Sequence, residues 1–232
     1  MDGVSERERA EAVRKGLRRV YDFIEVEGIG ASHVHPHRPP AATDVATFCY
    51  TSGTTGDPKG ALLTHRNFIA GGAAGFLMQA VDPGMEDLYL SFLPLPHIFE
   101  RVVHVLHYNA GAAIGFFRGD PTLLMEDLRA LRPTLLAMVP RILNRLYDTI
   151  VHGVLAAGGM KARLFVKACE AKVRGLHQGH LTNALWDKLV FGKIKEALGL
   201  DRVRIMVTGA APLAIHVLTF MRILMGAPVL EG

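Results

Sequence analysis

An α/β fold built on a mainly parallel sheet covered by helices on both faces is what the sequence predicts, and three observations carry it. From Val45 onward, short apolar runs alternate with stretches of helical spacing. Runs such as "VATFC", "TLLAMV" and "RIMVT" are apolar along most of their length, as strands buried on both sides must be. Half of the 232 residues are hydrophobic and 21% are charged, the balance of a folded chain with one good-sized core. Repeated β-α-β units with such strands bury themselves by forming parallel sheets under helices.

Taken in order, residues 5–22 read as a charged amphipathic helix. "GIGASHVHPHRPPAAT" then reads as a connection, because Gly, Pro and small residues dominate it. The first domain boundary is set there: residues 1–44 form an N-terminal helix and Pro-rich linker, and residues 45–232 the core. "VATFCYT" is a predicted buried strand and "ALL" a second extended run, with Thr64 as N-cap of a helix to about Ala80. "LYLSFL" is a strand, "IFERVVHVLHY" a helix and "AAIGFF" a strand. Asp120 and Pro121 suit the N-cap and first position of a helix over "TLLMEDLRAL". "TLLAMV" is a strand, a helix begins near Pro140, and a basic helical segment fills 155–200. Strand "RIMVT", helix "LAIHVLTFMRILM" and a strand from about Pro228 complete the pattern.

Composition excludes several classes. Net charge is +4, too mild to argue for a nucleic-acid partner. Between Lys161 and Lys195, however, Lys and Arg outnumber the acids Glu170 and Asp187 by eight to two. That excess is either a solvated helical face or a surface for anionic lipid. Two cysteines, Cys49 and Cys169, make no disulfide framework and point to a reducing compartment; Cys49 reads as a small buried residue. The charged N-terminus has no apolar core of a signal peptide, and no apolar stretch reaches the ~20 residues of a membrane span. His33, His35 and His37 alternate as metal ligands do, but on a Pro-rich linker with no fourth partner.

The chemistry concentrates in "YTSGTTGDPKG", Tyr50 to Gly60, where eleven residues hold five hydroxyls, three glycines and Lys59. Small residues after a strand let backbone N–H groups converge on an anion, and phosphate is the natural guest. The Walker A pattern is excluded twice: Pro58 stands before the lysine where Gly belongs, and Gly60 follows where Ser or Thr belongs. Three motifs begin where a strand ends, Ser52–Lys59, Pro94–His97 and Gly209–Pro212. In open parallel sheets the ligand crevice lies outside the carboxyl ends of the strands. Glu100 and Arg101 are read as neighbours on a helix surface that could pair with each other, and no role is assigned to them.

"YTSGTTGDPKGALLTHRN" resembles the phosphate-loop signature of the adenylate-forming superfamily, which includes acyl-CoA synthetases, aryl ligases, luciferases and peptide-synthetase adenylation domains. "YLSFLPLPHIFERV" and "RPTLLAMVPRILNRLYD" resemble successive motifs of long-chain acyl-CoA synthetases, and "IMVTGAAPL" the strand and turn along which adenine lies. The resemblance covers about residues 20–232 and implies part of the large N-terminal domain of such an enzyme. It implies that Thr51, Ser52, Gly53, Thr54, Thr55, Gly56 and Lys59 hold the ATP phosphates, with Thr54 toward magnesium. His97 would line the substrate pocket beside the reacting carboxylate, and Gly209, Ala210 and Ala211 would form the adenine slot.

The reaction implied is activation of a long-chain fatty acid by ATP to an acyl-adenylate, then thioester formation with coenzyme A. Partners would be fatty acid, ATP and coenzyme A, with peripheral membrane contact through 161–195. The location implied is the cytosol or the cytoplasmic face of a membrane, the endoplasmic reticulum among them. The chain ends at "PVLEG", before the family's Tyr-Gly-x-Thr-Glu motif, its ribose-binding acid and its C-terminal domain. It is therefore expected to be an internal piece, with open sheet edges and little ligase activity alone. Two alternatives stand beside this reading: a non-catalytic short form that binds nucleotide or acyl group, and a different acyl- or aryl-adenylating ligase.

Overall fold

The structure, a computed structural model, describes residues 3–51, 58–77 and 81–232. Two compact units divide it, Met1–Ala41 and Ala42–Gly232.

In the first unit, α1 (Glu6–Arg14) and α2 (Phe23–Ser32) each start at a capping box, Ser5 with Glu8 and Asp22 with Glu25. Both caps give a backbone N–H an acceptor that the helix cannot supply. Arg9 ties the helices together, donating to Asp22 at 3.2 Å and to Glu25 at 2.7 Å. The expected single helix over 5–22 is thus shorter, ending at Arg14 before Gly16 (φ 88°). The expected connection is partly helical, because the Asp22 cap carries a helix through Gly28 and Gly30 to Ser32. His33, His35 and His37 are exposed, and no metal-holding cluster occurs among the described residues.

In the second unit, β1 (Val45–Thr51) and β2 (Lys59–Thr64) form an antiparallel two-stranded sheet, in register from Thr51↔Lys59 to Phe48↔Leu62. The remaining strands are β3 (Leu88–Ser91), β4 (Ala113–Phe116), β5 (Leu135–Met138), β6 (Ile205–Thr208) and β7 (Val229–Glu231). They make one parallel sheet in the order β4-β3-β5-β6-β7. The helices between them are α3 (His65–Leu77), α4 (Ile98–Ala110), α5 (Leu124–Leu131), α6 (Pro140–Ala157), α7 (Gly159–His177), α8 (Ala184–Trp186), α9 (Gly192–Leu198) and α10 (Ile215–Met225). A π-helical turn, Asp187–Phe191, joins α8 to α9.

The central strand β5 explains the apolar pattern. Its four residues are at most 1% exposed, and the side chains divide by parity. Leu136 and Met138 join a core with Leu128, Leu143, Phe165, Phe220 and Leu224 from α5, α6, α7 and α10. On the other face, Leu135 lies in a cluster with Leu106 of α4 and Ile205, and Ala137 in one with Tyr89 and Val103 of α4. Helices thus cover both faces, as the sequence predicts.

Two local expectations change. "VATFCYT" is a strand but not a buried one: Phe48 is 62% and Tyr50 71% exposed, and Cys49 is only half-buried. The run pairs antiparallel with the segment just after it, since a short connection can return a strand only in that sense. Asp120 caps a turn, accepting from the Thr122 N–H at 2.8 Å, and the helix starts at Leu124. Thr64, in contrast, does cap α3, accepting from the Asn67 N–H at 3.4 Å while its own N–H donates to Asn67 Oδ1 at 2.9 Å. The predicted end of that helix at Ala80 lies outside the described residues. No described helix is long and apolar enough to cross a membrane.

Candidate active site

The site is built from turns that leave the carboxyl ends of the strands. After β3, the Pro94–His97 turn closes through His97 N–H donating to Pro94 O at 2.9 Å. His97 then serves as N-cap of α4 with extended backbone (φ −77°, ψ 130°). It is exposed and its ring makes no capping bond, so the imidazole is presented outward from a helix N-terminus.

After β6 comes the Gly209–Ala211 turn. Gly209 is buried, and a Cβ there would stand 3.7 Å from Phe99 Cε2 and 3.1 Å from Gly232 O. This turn therefore approaches the first turn of α4 at Phe99. Ala210 has φ 74°, a left-handed conformation that a non-glycine residue adopts at some cost. Ala210 and Ala211 are exposed. Leu213 N–H donates to Glu231 Oε1 at 2.8 Å, tying the turn's exit to β7.

The hairpin brings the third motif to the same place. Cys49 Sγ donates to Pro96 O at 3.2 Å, and Arg101 Nη1 donates to Thr47 Oγ1 at 2.7 Å. The Thr51↔Lys59 pair holds the two ends of the loop side by side. Ser52, Gly53, Thr54, Thr55 and Gly56 lie outside the described residues. Among the described residues, the hairpin thus meets the Pro94–His97 turn through Cys49, and the Gly209–Ala211 turn meets the first turn of α4 at Phe99.

Sequence reasoning missed Glu100. It is fully buried rather than on a surface, and it does not pair with Arg101. Its carboxylate accepts from Tyr89 O–H at 2.5 Å and Ser91 O–H at 2.6 Å, and lies 3.1 Å from His104 Nε2. Burial, and then the Glu100 charge, push the Tyr89 phenol far above its ordinary pKa, so it stays a donor. Arg101 turns the other way, donating also to Leu95 O at 2.5 Å. The usable signal was spacing: Glu100 and His104 at i and i+4 share the helix face that carries Val103 and Leu106.

The chemistry of these groups fits a nucleotide. Hydroxyls, glycines and a lysine frame the hairpin loop, the Gly209–Ala211 turn offers small side chains, and a helix N-terminus points at the space near His97. Thr208 Oγ1, buried at the end of β6, has no hydrogen-bond partner among the described residues.

One basic residue of the 161–195 segment turns inward. Lys172 is 2% exposed, bonds Asp187 Oδ1 at 2.5 Å and lies 5.1 Å over the Phe191 ring. Burial lowers its pKa and the Asp187 bond opposes that. A lysine at 172 serves the interior because its stem follows apolar surface while its head finds a carboxylate.

The profile of the AMP-binding enzyme family matches residues 3–232. Long chain acyl-CoA synthetase 7, peroxisomal, of Arabidopsis thaliana is 48% identical over 203 residues, covering 88% of this chain and 29% of that protein. Long-chain-fatty-acid–CoA ligase 1 of Homo sapiens is 44% identical over 229 residues, covering 96% of this chain and 32% of that protein. The chain thus spans under a third of the length of these curated relatives. Among solved structures, the A-PCP didomain of a carboxylic acid reductase from Segniliparus rugosus, in complex with AMP, aligns with a TM-score of 0.71. That match covers 98% of this chain and 29% of the other at 24% identity, and it speaks for the fold alone.

Proposed function

Since this chain belongs to the AMP-binding enzyme family, we propose that it supplies the nucleotide grip and part of the acid pocket of a long-chain fatty-acid–CoA ligase. The observation that carries this reading is that the hairpin and the Gly209–Ala211 turn each lie against the segment from Pro94 to the first turn of α4, the one through Cys49 and Pro96, the other through Gly209 and Phe99. The high identity to long-chain ligases supports the choice of substrate class.

In this reading Thr51, Ser52, Gly53, Thr54, Thr55, Gly56 and Lys59 hold the β- and γ-phosphates. Gly209, Ala210 and Ala211 lie along the adenine, where small side chains permit close approach. His97 lines the pocket where the fatty-acid carboxylate attacks the α-phosphate, displacing pyrophosphate. The coenzyme A thiol then displaces AMP to give the thioester. Magnesium, held with the phosphates near Thr54, would neutralise charge that builds on them. The protein's own part is positioning and electrostatic compensation, the two terms that dominate such transfers.

A membrane-surface location belongs to the same proposal. With Lys172 turned inward, Lys161, Lys167 and Lys188 are among the basic groups that remain exposed, and Met160, Leu164 and Val166 are exposed on α7 beside the first two. Flotation with anionic liposomes checks it: replacing the three lysines lowers binding, and unchanged binding removes the idea.

The direct test of function is fatty-acid-dependent exchange between ATP and pyrophosphate, using the native polypeptide that contains these residues. Exchange with a long-chain acid, and none with benzoate or amino acids, is expected. Exchange only with an aryl or amino acid would replace the substrate class.

A further inference from the structure

Glu100 and Arg101 are consecutive in the first turn of α4, yet they bond in different directions. Glu100 reaches inward to β3, where Tyr89 and Ser91 point from the same face of one strand. Ser91 is the last residue of β3, three residues before the Pro94–His97 turn. His104, one helical turn along, places Nε2 2.9 Å from Ser91 Oγ and 3.1 Å from Glu100 Oε1. A proton on that nitrogen serves both acceptors, while the two hydroxyls donate to the carboxylate. Arg101 reaches to the Leu95 carbonyl within the turn and to Thr47 on β1 of the hairpin.

The buried carboxylate has no lysine or arginine among its described hydrogen-bond partners. Donors and the N-terminus of its own helix compensate it instead. Apolar neighbours such as Val103 and Leu106 already hold α4 to the sheet. Replacing a buried charged group by a well-packed apolar one is often neutral or stabilising, so this network is weak as a device for stability. Its directed bonds are strong as a device for orientation, because they set the rotation of one helical turn.

We infer that Glu100 and Arg101 are a pair of positioning residues, Glu100 orienting the turn that presents His97 to the acid, and Arg101 registering the phosphate hairpin against that turn. The inference rests on the ligase reading above. Neither side chain needs to touch substrate. Each sets one half of the site, so each governs a different substrate.

The experiment uses the native polypeptide with Glu100→Gln, Tyr89→Phe, Arg101→Gln and, for comparison, Thr134→Val. Thr134 belongs to a separate buried network, donating to Asp87 Oδ1 at 2.7 Å at the other end of the strands. Pyrophosphate release is measured against each substrate, together with amide exchange of residues 101–105. Glu100→Gln and Tyr89→Phe are expected to lower kcat/KM for the fatty acid about tenfold and leave the KM for ATP unchanged. Arg101→Gln should raise the KM for ATP about tenfold and spare the fatty acid. Both kinds of variant should speed exchange of amides 101–105, whereas Thr134→Val lowers Tm and moves neither KM. If Glu100→Gln and Arg101→Gln only lower Tm, as Thr134→Val does, the positioning role is overturned. If the unmodified polypeptide releases no pyrophosphate, the ligase reading fails. Exchange then still decides: faster exchange in Glu100→Gln supports the orienting bond, and unchanged exchange removes it.

Discussion

At the scale of single residues, His97 and Ala210 make opposite cases. His97 is exposed and makes no capping bond, so His97→Ala should leave thermal stability nearly unchanged. Fatty-acid activation should nevertheless fall about a hundredfold, as for a misplaced pocket group; calorimetry beside pyrophosphate exchange separates the two effects. Ala210 occupies the left-handed region at φ 74°. Ala210→Gly removes the Cβ that makes this conformation costly, while giving the unfolded chain more freedom. A gain of up to about 1 kcal/mol in urea unfolding is expected if strain dominates. His97 could be singled out in the sequence because its motif is local. Glu100 was not, because its three partners come from β3 and from the next turn of its own helix. A sequence read as a helix surface does not show which face looks inward.

At the scale of elements, starts and stops follow local chemistry. Ser5, Asp22 and Thr64 cap helices as short-range hydrogen bonding dictates, and Pro140 opens α6. Where the expectation fails, as at Asp120, the cap residue satisfies a turn instead, and Leu123 precedes the helix. Gly199 ends α9 at φ 72°, and a Cβ there would lie 2.4 Å from Arg129 Cα and Leu128 O of α5. Gly199→Ala should therefore cost more than about 2 kcal/mol, since backbone strain and a backbone clash coincide. Leu136→Ala in β5 should cost about 2–5 kcal/mol, because the residue is 0% exposed in the main core. Urea midpoints measured on the native polypeptide check both.

At the scale of the whole molecule, one network ties three strands at the ends opposite the site. Asp87 accepts from Thr134 at 2.7 Å and from Arg204 Nε at 2.8 Å, and Thr134 Oγ1 accepts from Leu88 N–H at 2.8 Å. Burial alone would raise the pKa of Asp87, but bonds from Arg204, Gly84 N–H and Thr134 outweigh it and lower the value from 3.8 to about 2. A carboxylate with a depressed folded pKa contributes stability above its unfolded value, and this is lost as pH falls through the folded one. Stability should thus fall between about pH 3.8 and pH 2, and Asp87→Asn should flatten that part of the profile. His107 acts in the same sense at higher pH. Burial lowers its pKa, opposed by its bond to Val103 O, so the neutral form is favoured in the fold. Stability is then lost as pH falls below the ordinary histidine value of 6.5, and His107→Gln should remove that step.

The sequence by itself determined the parallel α/β class and the order of strands and helices in the second unit. These are legible because periodicity, caps and turn residues act over a few positions. Tertiary structure alone decided that "VATFCYT" pairs in a hairpin outside the parallel sheet, that Lys172 is an interior strut, and that Glu100 and Arg101 diverge rather than pair. The hairpin depends on which of two possible neighbours the run pairs with, and the other two on partners in other elements or on which side of a helix meets the sheet. Such facts are fixed by packing, where a buried charge goes wherever distant groups can satisfy it.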